Sequence, residues 1–354
     1  MADPTPLTVL RAALPRLLDA LPASAGVEVL RALPGAAQDA PASLRWRGEQ
    51  TFRPLHAALR AEGFDIRSEG ATDADRRAPL PAAEAVFVLM PRSRDEGRAL
   101  LARAVRDVAV GGIVAGAALN DEGARSFEKD LARLLPLAGQ LSKAHGRAFW
   151  TVPRPAVLPD ATSALVEAWL AADAPHRDAT SGLWQRPGVF NEGRLDAGSA
   201  LLIAHLPPTL DGAVADLGAG TGLLSLAVLE RCAGVRSLDL FEAEARALDL
   251  ARCNLAEARV PVRFHWHDVA GGVPGRFDTV ICNPPFHVGS RGVPALGRAF
   301  IAAAARALTR DGQLLLVANR HLPYEDALRE VFGRGELLAE QAGFKVYRAW
   351  APAP

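Results

Sequence analysis

The sequence is short of cysteine and lysine and has no long uninterrupted apolar run, and each shortage narrows what the chain can be. Its three cysteines, Cys232, Cys253 and Cys282, fall in no CxxC or CxxxxC spacing. Neither a disulfide framework nor a thiolate zinc site is indicated, and a reducing compartment fits. Arg, Asp or Glu interrupts every apolar run before the roughly 18 residues that a membrane helix needs. The first residues, Met-Ala-Asp-Pro-Thr-Pro, are not a basic segment leading into an apolar one. A soluble, cytoplasmic protein without membrane association is therefore expected. Lysine is confined to Lys129, Lys143 and Lys345, so arginine supplies nearly all of the 40 basic residues, which balance 40 acidic ones. The balance holds in each half of the chain, so neither half is a charged tail and any nucleic-acid contact must come from local patches.

What is present is ordinary globular composition, 49% apolar and 23% charged over 354 residues, enough chain for two domains. The stretch 170–181, rich in Ala, Asp, Pro, His and Thr, separates them and gives expected domains at 1–175 and 182–354. In the second, apolar strand candidates at 213–217, 237–241, 262–266, 279–282, 313–318 and 345–350 alternate with helical patterns at 222–233, 244–258 and 296–308. Continuous apolar runs such as Leu314, Leu315, Leu316 and Val317 suit strands covered on both faces, so an α/β, Rossmann-like parallel sheet is expected. The first half echoes the second. Residues 85–91 (AVFVLMP) resemble 279–284 (TVICNP), 111–115 (GGIVA) resemble 312–316 (GQLLL), and 145–150 resemble 344–349. Two tandem Rossmann-like domains follow, the N-terminal one degenerate, because it has no Gly-x-Gly-x-Gly turn and Met90 stands where Asn283 stands in the second.

The chemistry concentrates in two motifs. Asp-Leu-Gly-Ala-Gly-Thr-Gly at 216–222 follows an apolar strand and opens a helix. Its G-x-G-x-G spacing differs from the G-x-G-x-x-G of dinucleotide sites. Asp216 would repel a phosphate but would accept hydrogen bonds from an α-amino group, so Gly218, Gly220 and Asp216 point to a cationic amino-acid nucleoside. Glu242 at the end of the next strand suits ribose hydroxyls, and Asp268 after the third suits an adenine amino group. In this order the set predicts S-adenosylmethionine binding. The second motif, Asn-Pro-Pro-Phe-His at 283–287, lies at the carboxyl end of the fourth strand, where open α/β sheets bind ligands. Prolines donate no backbone hydrogen bond, so the loop offers acceptors, the Asn283 side-chain oxygen and the Pro284 carbonyl. These suit a planar NH2 on a ring that Phe286 can stack against. No metal is expected: His265 and His267 share a strand face but have no third ligand nearby, and a surface role suits them better.

These residues resemble the class I S-adenosylmethionine-dependent methyltransferases with an (Asn/Asp)-Pro-Pro-(Phe/Tyr) loop. More closely, the chain is similar to bacterial ribosomal RNA guanine-N2 methyltransferases of the small-subunit (16S) methyltransferase C type. The segments carrying the likeness are 187–190, 195–199, 216–222, 275–278, 283–287, 318–324 and 344–349. The resemblance implies methyl transfer to the N2 amine of a flipped-out guanine. Asn283, Pro284 and Phe286 would act on the amine, and Asp216, Gly218, Gly220, Glu242 and Asp268 would hold the cofactor. Phe190, Gly198 and Ser199 would cover the cofactor, and Pro285, His287 and Arg291 would touch the substrate. Glu242 departs from the aspartate of the family pattern. The partner implied is ribosomal RNA or a ribosomal subunit, met by a monomer, with Arg45, Arg47, Arg53, Arg92, Arg94 and Arg291 as candidate phosphate contacts and the first domain as the RNA clamp. Large-subunit (23S) guanine, adenine or protein glutamine remain alternative targets, and an inactive cofactor-binding assembly factor is the non-enzymatic alternative.

Overall fold

The computed structural model describes residues 5–19, 21–38, 40–68, 81–189, 196–285, 287–288, 291–292 and 294–350. The chain divides into two compact units, Met1–Pro175 with Arg186–Gly188, and His176–Gln185 with Val189–Pro354.

The first unit is built on strands β1 (Gly26–Leu30), β2 (Arg45–Glu49), β3 (Asp65–Arg67), β4 (Ala85–Leu89), β5 (Ile113–Leu119), β6 (Leu137–Lys143) and β7 (Gly146–Thr151). Helices α1 (Pro6–Leu18), α2 (Arg53–Ala61), α3 (Arg94–Asp107), α4 (Ala124–Leu134) and α5 (Asp160–Ala172) complete it. Its sheet order is β3-β2-β1-β4-β5-β7-β6, parallel except for β7, which runs antiparallel to β5 and β6.

The second unit opens with a short antiparallel pair, β8 (His176–Arg177) and β9 (Trp184–Gln185), and helix α6 (Ala197–Ala204). Its main sheet comprises β10 (Asp211–Leu217), β11 (Gly234–Glu242), β12 (Val262–Trp266), β13 (Phe277–Cys282), β16 (Leu308–Asn319), β17 (Arg334–Gln341) and β18 (Phe344–Trp350), with a minor pair β14 (His287–Val288) and β15 (Arg291–Gly292). The helices are α7 (Leu223–Arg231), α8 (Ala245–Asn254), α9 (Pro294–Ala307) and α10 (Tyr324–Val331). The order β12-β11-β10-β13-β16-β18-β17 repeats that of the first sheet strand for strand, again with one antiparallel member, β18. The three sequence echoes fall on β4 and β13, β5 and β16, and β7 and β18, the same places in the two sheets.

Central strands show why the topology forms. β4 is buried at all five positions, as a strand roofed by helices on both faces must be. In the second unit Val280, Cys282, Leu314 and Leu316 pack with Phe300 and Ile301 of α9 and with Tyr324. The intervening Ile281, Leu315 and Val317 pack with Leu202, Val228 and Leu248 of α6, α7 and α8. This period-two alternation puts an apolar layer on each face, and each fully buried aliphatic side chain contributes about 1.5–3 kcal/mol. The strand ends that carry the motifs are thereby held on a rigid base.

The first unit has lost the glycine turn. The chain leaves β1 through Arg31, a non-glycine residue at φ 58°, and its guanidinium pairs at 2.7 Å with Glu96, whose side chain is only 6% exposed. After β2, Gln50 donates from Nε2 to the Ala32 carbonyl at 2.8 Å, and Met90 is buried. Among the described residues no helix is long and apolar enough to cross a membrane, and no three His, Cys, Asp or Glu residues converge as a metal site.

Candidate active site

β10 ends in a sharp reversal that starts α7, and three glycines carry it, with Gly218, Gly220 and Gly222 at φ 75°, 54° and 82°. L-residues with a Cβ disfavour this left-handed region. The turn is pinned to the next strand: the backbone N–H groups of Gly218 and Ala219 donate to the Phe241 carbonyl at 2.8 and 3.2 Å. Gly220 donates to Glu242 Oε2 at 2.7 Å, while Glu242 Oε1 accepts from the Glu244 N–H at 2.8 Å. A connection absent from any local motif comes from Asn254 at the end of α8. Its Nδ2 donates to the Thr221 carbonyl at 2.9 Å, and its Oδ1 accepts from the Trp184 N–H at 2.7 Å, tying β9 to the turn.

Asp216, next to last in β10, is fully buried. Ser225, in the first turn of α7, donates from Oγ to Asp216 Oδ2 at 2.7 Å. Asp216 Oδ1 has no hydrogen-bond partner among the described residues. Burial pushes the Asp216 carboxyl up to about 7, the neighbouring Glu242 adds to the rise, and the Ser225 hydrogen bond opposes it. Burial also pushes Glu242 up, against the backbone N–H groups that it accepts. A buried carboxylate with an oxygen that no described residue satisfies is short of a cation or donor. At Gly220 a Cβ would meet nothing within 4 Å, so a ligand can lie against the backbone there. Asp268, after β12, uses Oδ1 to accept from the Ala270 N–H at 3.0 Å.

β13 lies between β10 and β16, so Asn283 leaves the sheet beside the glycine turn on the same edge. Its Nδ2 donates to Ser199 Oγ at 2.8 Å and reaches both carboxylate oxygens of Asp196 at 3.2 and 3.4 Å. Asn283 Oδ1 is buried without a partner among the described residues. Asp196 is the N-cap of α6, with Oδ1 accepting from the Gly198 and Ser199 N–H groups at 3.0 Å each. Pro284 is buried and Pro285 exposed. The loop continues as a two-residue antiparallel pairing of His287 with Gly292 and Val288 with Arg291. Phe190 and Phe286 lie outside the described residues, as do the side chains of His287 and Arg291.

The structure thus brings Asp216, Gly218, Gly220, Glu242, Asn283, Pro284, Gly198 and Ser199 to one region of the second unit. Ser199, expected over the cofactor, has its hydroxyl on the Asn283 amide. Asp196, Ser225 and Asn254 have structural roles that the sequence did not announce. His265 stacks on Phe241 with centroids 4.4 Å apart and reaches Asp239 Oδ1 at 2.8 Å, while His267 Nε2 meets the Gly272 carbonyl at 2.7 Å. Of the arginines considered for phosphate, Arg47 pairs with Glu28 at 2.6 Å, Arg92 with Glu122 at 2.9 Å, and Arg94 with the buried Asp130 at 3.1 Å.

Comparison with known proteins bears on the same region. Residues 180–348 match the methyltransferase small domain. Ribosomal RNA small subunit methyltransferase C of Escherichia coli O7:K1 (strain IAI39 / ExPEC) is 42% identical over 163 residues, 46% of this chain and 47% of that protein. The K12/DH10B protein of the same name matches with the same identity and coverage, so the match spans about half the length of these curated relatives. A solved structure of a T. thermophilus 16S rRNA N2 G1207 methyltransferase in complex with AdoMet and guanosine shares the fold over 95% of this chain and 90% of its own, with a TM-score of 0.75 and 24% identity. The methyltransferase small domain match thus takes in the glycine turn and the Asn-Pro-Pro loop together.

Proposed function

We propose that the protein transfers a methyl group from S-adenosylmethionine to the exocyclic N2 amine of a guanine in 16S ribosomal RNA. The observation that carries this reading is the buried Asn283 Oδ1, an acceptor without a partner among the described residues, held at the sheet edge beside the glycine turn, with a second such acceptor, Asp216 Oδ1, in the strand that leads into the turn. Asp216 would hold the α-amino group, Glu242 the ribose hydroxyls and Asp268 the adenine amine, and the Gly218 and Gly220 backbone, Phe190 and Gly198 would complete the cofactor contacts. S-adenosylmethionine would supply an electrophilic methyl carbon there, with its thioether as the leaving group, and the target amine would lose one proton to solvent. Asn283 Oδ1 and the Pro284 carbonyl would accept the two amine hydrogens. This turns nitrogen lone-pair density out of conjugation with the ring and stabilises the charge that develops on transfer. Phe286 would stack on the base, and Pro285, His287 and Arg291 would touch the surrounding nucleotide.

The 16S target follows the name of the 42%-identical relatives. The first unit, whose own turn is closed by the Arg31–Glu96 pair, serves ribosomal RNA recognition in this proposal, and the protein works in the cytoplasm as a monomer. Radiolabelled S-adenosylmethionine and unmodified 16S RNA or 30S particles test the reading. The wild-type protein should label the RNA, and Asn283→Ala should lose roughly 100-fold or more of the rate with cofactor affinity retained. Transfer by Asn283→Ala at the original rate would refute the role of the loop.

A further inference from the structure

An asparagine carboxamide has two orientations of nearly equal shape, and only one of them offers a target amine an acceptor. In the other, two NH2 groups would face each other, donor against donor. The Pro-Pro loop that follows Asn283 does not choose between them; the partners of its amide do.

Those partners come from α6, more than 80 residues earlier in the chain. Asp196 is acceptor-only when ionised, and both its oxygens lie within 3.4 Å of Asn283 Nδ2. The reversed amide would put its oxygen against that carboxylate. Asp196 is itself fixed, because its Oδ1 accepts two backbone N–H groups at the start of α6, where the helix dipole favours negative charge. Ser199 Oγ, 2.8 Å away and buried, accepts from the same amide and steadies it, while the polarity is set by Asp196, because a hydroxyl can either accept or donate. The outcome is a buried Asn283 Oδ1 with no partner of its own among the described residues, an arrangement that folded proteins seldom keep without a function.

We propose that Asp196 and Ser199 are positioning residues that lock the Asn283 carboxamide with its oxygen towards the target, which restricts the site to substrates presenting a hydrogen-donating NH2. The proposal rests on the methyl-transfer reading above. It adds a second duty to the α6 N-cap: the same carboxylate that starts the helix sets the polarity of the reactive loop.

Asp196→Asn separates the two duties, because asparagine caps helices as well as aspartate does but no longer forces the amide orientation. Rates of methyl transfer to unmodified 16S RNA and 30S particles would be measured beside equilibrium binding of S-adenosylmethionine. For Asp196→Asn, kcat should fall about 10- to 100-fold, the worth of one hydrogen bond to a charged group, with KM for the RNA and Kd for the cofactor unchanged. Ser199→Ala, which has no side-chain capping role, should lower kcat by roughly 3- to 10-fold. Because both act through Asn283, neither should cost anything further in an Asn283→Ala background. The split between kcat and the two binding constants decides the matter even where Asn283→Ala is too slow to time.

Asp196→Asn at the wild-type rate, or a loss that appears in cofactor Kd instead of kcat, would overturn the positioning role alone. Asn283→Ala at the wild-type rate would overturn the methyl-transfer role of the loop, and no transfer by the wild-type protein to either substrate would overturn both.

Discussion

Asp216 makes the unliganded second unit sensitive to pH in a direction set by its burial. Its folded-state value of about 7 lies above the ordinary 3.8, so the folded state binds the proton more tightly than the unfolded chain does. The stability this confers is fully present below pH 3.8 and is lost as the pH rises through 7. At 1.36 kcal/mol for each tenfold in proton affinity, the full loss amounts to about 4 kcal/mol, roughly 10 °C in Tm for a unit of this size. Asp216→Asn removes the titration and keeps an acceptor for Ser225, but it places an NH2 where Oδ1 has no partner among the described residues. That penalty shifts the level of stability at every pH and leaves its slope alone. Unfolding of the cofactor-free protein from pH 5 to 8.5 should therefore show a decline in the wild type that is distinctly shallower in Asp216→Asn. Glu242, raised in the same sense, accounts for a residual slope common to both. A cation bound beside Asp216 favours the ionised carboxylate, so cofactor affinity should rise with pH through 7 in the wild type and stay flat in the variant. Parallel stability curves for the two proteins would refute the assignment of Asp216 as a buried, partly unsatisfied acid.

Two further perturbations separate binding from folding. Gly220→Ala places a methyl in open space, at a strain of roughly 1–2 kcal/mol from its positive φ, and should weaken cofactor binding by at least about tenfold. Gly218→Ala adds contact with Phe300 Cε1 at 3.2 Å and should lower Tm more than Gly220→Ala does, which calorimetry with and without cofactor will rank. In the first unit, Arg31→Ala removes the guanidinium paired with the nearly buried Glu96. It should destabilise the protein by about 2 kcal/mol, discounted because Arg31 is itself partly exposed, with cofactor affinity unaltered in a binding titration.

Much of the second sheet was legible because its central strands are apolar on both faces, and even the edge strand β12, only partly buried, keeps Val262, Phe264 and Trp266 on one face. The expected strand at 262–266 coincides with β12, and the one at 279–282 lies within β13. β17 was not legible: Arg334–Gln341 is an edge strand, largely exposed, and its charged residues carry no apolar signature. The expected strand at 313–318 begins five residues earlier as β16, where Leu308 pairs with Phe277 before a bulge. At the site, the glycine turn and the Asn-Pro-Pro loop could be read because each needs a special backbone within a few consecutive residues. Asp196, Ser225 and Asn254 could not, because their work is done across 87, 9 and 70 residues of sequence. Only the fold brings them to their partners. The partners of the candidate phosphate-binding arginines were not legible either: Arg47, Arg92 and Arg94 pair with Glu28, Glu122 and Asp130, which lie 19 to 36 residues away.

The most direct test of the proposed chemistry is the identity of the methylated nucleoside. The full-length protein would be incubated with radiolabelled S-adenosylmethionine and, separately, with unmodified 16S RNA, 23S RNA, 30S particles and 50S particles, and any labelled product digested to nucleosides. Label in N2-methylguanosine from 16S RNA or 30S particles is the expected result. Label in another nucleoside, in protein, or only in 23S RNA or 50S particles would contradict it.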